Sequence, residues 1–198
     1  MAEFNPGGEK EPSGYFRKRD WYPDTFGLIL IGDKIDRPPK REIYHKALQW
    51  ALEITCRSKV HDRTSGFEAY TAWAEALLKD APSFATDDLD RLFWLYVVHN
   101  DVMTMVAEGR WYAALFLTAI AREEPKLAEA LYQAAACYAA EHDLMWKIWH
   151  LLGGPGFSEV QARNLAKAEI RRQIVPLILQ ARAKDREAAH YIERALTV

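Results

Sequence analysis

Cysteine is nearly absent: the chain has two, Cys56 and Cys137. They lie far apart, with no Cys-x-x-Cys and no histidine at ligand spacing, so neither a structural zinc site nor a disulfide framework is expected. Both read as buried thiols in helical segments. An excess of one charge sign is also lacking. The 26 Lys and Arg against 28 Asp and Glu leave a formal charge of -2, without the basic surplus with which proteins approach nucleic acid or anionic lipid. No apolar run nears the roughly 20 residues of a bilayer span, and the opening MAEFNPGGEK lacks the basic-then-apolar order of a secretory signal. The expectation is a cytoplasmic chain with neither a nucleic-acid nor a membrane partner. Familiar catalytic signatures are missing too: there is no Gly-x-Ser-x-Gly and no paired-carboxylate motif. Gly153-Gly154-Pro155-Gly156 lacks the preceding strand and following Lys-Ser or Lys-Thr of a nucleotide loop, which leaves it as a helix breaker.

What is present is enough apolar material for a core. The 198 residues are 49% hydrophobic and 27% charged, the balance of one ordinary domain with a small appendage. Residues 1–14 hold Pro6, Gly7, Gly8, Pro12 and Gly14 among charges and read as a disordered leader. Residues 15–37 read as a β-hairpin appendage, with strand character at Tyr15–Lys18 and Phe26–Ile31 around a turn at Trp21–Asp24. Residues 38–198 read as helix throughout. One helix spans 40–57, with Ile43, Ala47, Trp50 or Ala51, and Ile54 on its inner face. A second spans 66–79 behind a Ser65/Glu68 capping box. A third, 87–107, is capped by Thr86 and stopped at Gly109, with a short helix over 110–121 after it. Pro125 opens a long helix that ends at Gly153, and Ser158 opens the last helical stretch, which Pro176 should kink or split. The fold class is therefore mainly α: an antiparallel bundle of six or seven helices with a short N-terminal β-hairpin.

Candidate functional residues follow from types that are unusual on an apolar helix face. Trp73, Trp94, Trp111, Trp146 and Trp149 lie on bundle helices, where with Tyr70 they can wall a cavity for a flat or cationic ligand, or simply fill the core. His99 shares a stripe with Leu92, Tyr96 and Met103, and His142 shares one with Leu131, Tyr138 and Met145, beside Glu141. Two imidazoles and a carboxylate that met inside the bundle would suit acid–base work, with or without a metal. Hydrogen-bonded core histidines are the commoner outcome, and no further ligand is evident. Arg110 aligns with Ala113, Ala114 and Leu117, which draws its guanidinium inward. Buried, it needs a carboxylate or an anionic ligand, and Glu75, Asp101 and Glu141 are the candidates. Two Glu-x-x-His matches, Glu42/His45 and Glu187/His190, are discounted because they sit near helix or chain ends, whereas di-metal ligands lie in mid-bundle. No cofactor and no metal are expected.

The stretches Gly66-Phe67-Glu68-Ala69-Tyr70-Thr71-Ala72-Trp73-Ala74-Glu75-Ala76-Leu77 and Arg110-Trp111-Tyr112-Ala113-Ala114-Leu115-Phe116-Leu117 resemble the C-terminal helical half of papain-like proteins of the butirosin biosynthesis protein H type. Gly27–Gly32 with Lys34 and Ile35 is similar to the last strand of that family's α/β domain. The resemblance covers about residues 15–153. It implies a cysteine-nucleophile domain preceding the helices, but neither Cys56 nor Cys137 matches the nucleophile, so no catalytic residue carries over. The expected function is a non-catalytic helical domain. It binds a small molecule through Tyr70, Trp73, Trp94, His99, Arg110, Trp111, Glu141 and His142, or docks onto a cysteine-peptidase-like partner. The alternatives are a protein-interaction scaffold, self-association into a homo-oligomer through the apolar front strand, and, least favoured, an enzyme built on His99, His142 and Glu141.

Overall fold

The computed structural model describes residues 9–10, 16–17, 32–33, 36–79 and 83–197. They fall into two compact units, Met1–Arg37 and Pro38–Val198. In the first, β1 (Glu9–Lys10) pairs antiparallel with β2 (Phe16–Arg17), Glu9 opposite Arg17 and Lys10 opposite Phe16. The small antiparallel sheet is thus present, but with a different partner strand. Phe16–Arg17 pairs backwards with residues assigned to the leader, and Phe26–Ile31 lies outside the described residues.

The second unit is a helical bundle. Its described elements are α1 (Lys40–Cys56), a hairpin of β3 (Lys59–Val60) and β4 (Arg63–Thr64), α2 (Gly66–Leu78), α3 (Leu89–Glu123), α4 (Ala128–Leu152), α5 (Glu159–Ala166) and α6 (Ala168–Leu196). The β3–β4 hairpin corrects the all-helical reading beyond Pro38. Its two-residue turn places His61 at φ +54°, a conformation that alternation of side chains does not announce. Gly66 has φ +53°, and a Cβ there would lie 2.1 Å from the Thr55 carbonyl oxygen. Only glycine lets α2 start this close to the end of α1. Ser65 is the N-cap of α2 as expected, yet makes no side-chain capping bond. Glu68 is turned to Thr71 and Arg186 instead.

Helix α3 overturns the break at Gly109. It is one helix of 35 residues, capped by Asp88, whose carboxylate accepts from the Arg91 N–H at 3.2 Å; Thr86 accepts from the Asp88 N–H one step earlier. Glycine in a helix interior costs about 1 kcal/mol, and apolar contacts made on both sides of it, by Met103 and Ala107 before and by Ala114 and Leu117 after, exceed that penalty. Pro176 likewise fails to split its helix. The missing donor would have bonded a carbonyl on the solvent-exposed side at Arg172, where water can serve. The break falls at Lys167, between α5 and α6. Gly153, at φ +103°, ends α4 as a left-handed C-cap, as its position predicts.

Helix α4 packs along both α3 and α6, and α2 packs on α6. Helices α2 and α3 meet chiefly through side chains, which leaves a groove between them. Arg171 is fully buried at one end of the bundle. Its guanidinium donates to the carbonyls of Leu77 (3.0 Å), Leu165 (3.2 Å) and Ala166 (2.5 Å), the last turns of α2 and α5, and lies over the Phe84 ring. A cation is favoured there by the negative helix ends. On α1 the inner face is Leu48 and Thr55, whereas Trp50 is 57% exposed and Ile54 46%. Cys137 is buried, and burial pushes its thiol up to about 11. Cys56 is exposed, contrary to expectation. Among the described residues no helix is long and apolar enough to cross a membrane.

Candidate functional site

The three long helices carry the same seam. Met103, Ala107, Arg110, Ala114, Leu117 and Ala121 are spaced four and three alternately on α3. So are Ala134, Tyr138, Glu141, Met145, Ile148 and Leu152 on α4, and Ile178, Ala181, Asp185, Ala188, Ile192 and Ala195 on α6. This is the spacing of helices that interlock along a shared core. Each seam contains one charged residue, and the three come together at one level. Above and below them lie two separate hydrophobic clusters, one around Tyr96, Met145 and Ile178, the other around Leu117, Leu131 and Ile192.

Arg110 is the centre of this layer. Its Nη2 donates to Asp185 Oδ2 at 2.7 Å, its Nε lies 3.4 Å from Glu141 Oε2, and its guanidinium carbon is 5.2 Å from the centre of the Tyr138 ring. Glu141 and Asp185 are completely buried, and the Tyr70 hydroxyl donates to Glu141 Oε1 in a short hydrogen bond. Two carboxylates face one cation. Burial, with the Asp185 charge beside it, raises Glu141 to about 8. Burial lowers the Arg110 pKa, but Tyr70, Asp185 and Glu141 outweigh it and hold the guanidinium above its ordinary value. Tyr70 is raised by burial and by Glu141. Arg110 Nε, Glu141 Oε2 and Asp185 Oδ1 are buried without a hydrogen bond among the described residues.

The layer opens on the groove. Between α2 and α3 lies a cavity of about 430 Å³ with Ala69, Tyr70, Trp73, Val106 and Arg110 in its lining, and it reaches the surface at the exposed Ile54 and Val102. A second cavity of about 400 Å³ continues past Trp73 and Val102 toward Phe84, Leu95, His99 and Leu165. His99 is buried there. Its Nδ1 accepts from Trp73 Nε1 at 3.0 Å, and desolvation lowers its pKa to about 4, so the ring is neutral.

The residues singled out from sequence therefore separate into three groups. Tyr70, Trp73 and Arg110 line the first cavity, with Glu141 behind Arg110, and His99 lines the second. Trp111 and His142 lie on the outer side of α3 and α4, with ring centres 5.1 Å apart, and His142 accepts from Trp146 Nε1 at 3.0 Å and bonds Asp143 at 3.1 Å. Trp94 stands alone, 68% exposed. The proposed His99, His142 and Glu141 trio thus has three separate sets of partners. Of the carboxylates offered for Arg110, Glu141 is one and Glu75 and Asp101 are exposed. The closest partner, Asp185, was not among them, though its place in the seam between Ala181 and Ala188 is the signal that marks it. Among the described residues no group of three or more His, Cys, Asp or Glu is placed to hold a metal ion. Comparison with family models, with curated proteins and with solved structures returns no match to this chain.

Proposed function

We propose that the Pro38–Val198 unit is a non-catalytic binding module that takes a small molecule into the groove between α2 and α3. The observation that carries this reading is the cavity of about 430 Å³ whose apolar walls end on Tyr70 and Arg110. Apolar pockets with a few convergent polar groups are the usual form of small-molecule sites. Arg110 is engaged by Asp185 and Glu141, so the floor offers a ligand no unpaired cation, and the apolar walls suit an apolar, uncharged body with a hydrogen-bonding end. The separate partners of His99, His142 and Glu141 support a binding role over a catalytic one. The test uses an uncharged naphthalene-based dye with one carbonyl acceptor, 6-propionyl-2-dimethylaminonaphthalene, whose fluorescence rises in apolar sites. Saturable binding by the full chain, weakened about tenfold in Ala69→Trp, which fills the groove, is the expected result. Non-saturable fluorescence, or an Ala69→Trp variant that binds as the wild type does, refutes the reading.

Docking onto a protein partner is favoured by a different feature, the outer side of α3. Trp94, Val98, Val102, Met105, Gly109, Tyr112 and Phe116 follow one another at spacings of three and four on the face opposite the core seam. Met105 is 79% exposed and Tyr112 67%. The strip is roughly 33 Å long at 1.5 Å per residue, more than a monomer's surface usually leaves uncovered. Asp90, Asp101 and Glu108 lie exposed along one flank. In an antiparallel pair of two copies that flank would face its own acids, so the occupant is a partner with an apolar strip edged by basic side chains. The resemblance suggests a cysteine-peptidase-like protein. A monomeric mass for the chain alone agrees with this, and a dimer dissolved by Met105→Glu would put a second copy there instead.

A further inference from the structure

His99, one of the residues lining the second cavity, carries a buried hydrogen-bond donor that is unpaired among the described residues. Trp73 Nε1–H can only donate, so His99 Nδ1, which lies 3.0 Å from it, must carry the lone pair. The proton of the neutral imidazole is therefore on Nε2. That atom is buried and has no hydrogen-bond partner among the described residues. A buried donor left unpaired loses its hydration without replacement, and such groups are rare enough to ask for an explanation. The tautomer and the ring's orientation are both held by Trp73, whose ring centre is 5.3 Å from that of His99. The donor is thus preorganised. The rest of the cavity, about 400 Å³, is lined mainly by apolar side chains, with Phe84, Leu95, Val98 and Leu165 near His99. Its charged lining residue, Lys79, is exposed at the end of α2.

We infer that this cavity is a subsite for an uncharged, flat or aliphatic group bearing one hydrogen-bond acceptor, a ring nitrogen or a carbonyl oxygen, which receives the His99 Nε2 proton. The inference rests on the groove reading, since Trp73 and Val102 line both cavities, but it adds the chemical class of the part that lies beyond them. A neutral imidazole does not attract an anion, and an apolar wall offers nothing to a strongly hydrated head group. A group of matching shape without an acceptor leaves the donor unpaired and binds less well. The discrimination resembles that of other sites built around one buried polar group, where the analogue lacking the partner atom is rejected.

The probes are isoquinoline and naphthalene, equal in shape and different in one acceptor nitrogen. With full-length chain carrying nitrogen-15-labelled histidine, isoquinoline should bind at least about fivefold more tightly than naphthalene. It should also shift the His99 Nε2–H signal downfield while leaving Nδ1 as an acceptor. In His99→Phe, which keeps an aromatic ring but no donor, the two probes should bind alike. Equal affinities in the wild type, an unmoved Nε2–H signal, or a preference that survives in His99→Phe overturns the subsite. The labelled-histidine measurement needs no variant, so a poorly folded His99→Phe does not protect the inference. Naphthalene binding with no isoquinoline preference refutes the subsite and leaves the groove standing, whereas dye binding insensitive to Ala69→Trp refutes the groove itself.

Discussion

The buried polar groups of the helical unit come in two kinds, and they have settled in different ways. Arg110, Glu141 and Asp185 sit inside the seams of three helices and bond mainly one another. His99 sits one layer away on α3, bonded on one side to Trp73 and, among the described residues, unbonded on the other. The first group has its charge answered within the core, and its effect is to set which residues of α3, α4 and α6 lie level with each other. A helix shifted by one turn would leave a charge against a methyl group. The second group has a neutral ring in the lining of a cavity, with a buried donor that is unpaired among the described residues. The charged layer acts on the register of the fold because its charges answer one another across three helices, although Arg110 Nε, Glu141 Oε2 and Asp185 Oδ1 also lack a hydrogen bond among the described residues; the His99 donor has no such answer from the core.

The sharpest way to break this distinction is to remove Arg110. Arg110→Ala leaves two buried acids with no cation, and unfolding in urea should show a loss of about 3–5 kcal/mol. The triple change Arg110→Met, Glu141→Leu, Asp185→Leu replaces the layer by apolar groups and should recover most of that loss. If Arg110→Ala unfolds like the wild type, the layer does not hold the register.

Next in size is pH. Glu141 has its folded pKa raised to about 8 from an ordinary 4.5, so the folded state binds the proton more tightly than the unfolded one. Its contribution is complete below about pH 4.5 and is lost as pH rises toward 8. His99 has the opposite sign: lowered to about 4 from 6.5, it contributes above pH 6.5, and that contribution is lost as pH falls toward 4. A melting-temperature profile should therefore decline on both sides. Glu141→Gln should flatten the alkaline limb and His99→Phe the acid limb, each leaving the other in place. A profile unchanged by both variants would show that neither group titrates as its surroundings require.

The smallest effect is expected at Gly109. It lies exposed in the helix with ordinary helical φ, and a Cβ there would meet nothing within 4 Å. Gly109→Ala should stabilise the chain by about 0.5–1 kcal/mol in thermal unfolding. A loss of stability would mean that the position is crowded by a neighbour, and would move Gly109 from the free outer strip to an occupied one.

Much of the fold was legible because helical periodicity and chain breakers act locally. The starts of α1 and α2, the stop at Gly153 and the inward turn of Arg110 all follow from neighbours within a few residues. The break expected at Gly109 failed because a local penalty of about 1 kcal/mol is visible in the sequence, whereas the packing of the flanking seams that exceeds it is contributed by other helices. The split at Pro176 failed because the carbonyl it leaves without a donor, at Arg172, faces solvent, and which side of a helix faces solvent is decided by its neighbours. On α1 Ile43, Ala47 and Ala51 are half-buried as expected, but Ile54 and the alternative Trp50 are exposed; they are as apolar as Leu48, and only the neighbouring helices decide which row is covered.

By itself the sequence determined a helical class, the absence of a membrane-length apolar run, and a set of polar residues placed on apolar faces. Periodicity and composition are properties of one segment at a time, and these conclusions need nothing more. That Asp185 answers Arg110, that Glu141 is buried against both, that His142 turns outward while His99 turns toward Trp73, and that α2 and α3 leave a groove were decided only in the tertiary structure. Each depends on which helices become neighbours, and an ion pair between residues 75 positions apart is set by the packing of two whole seams.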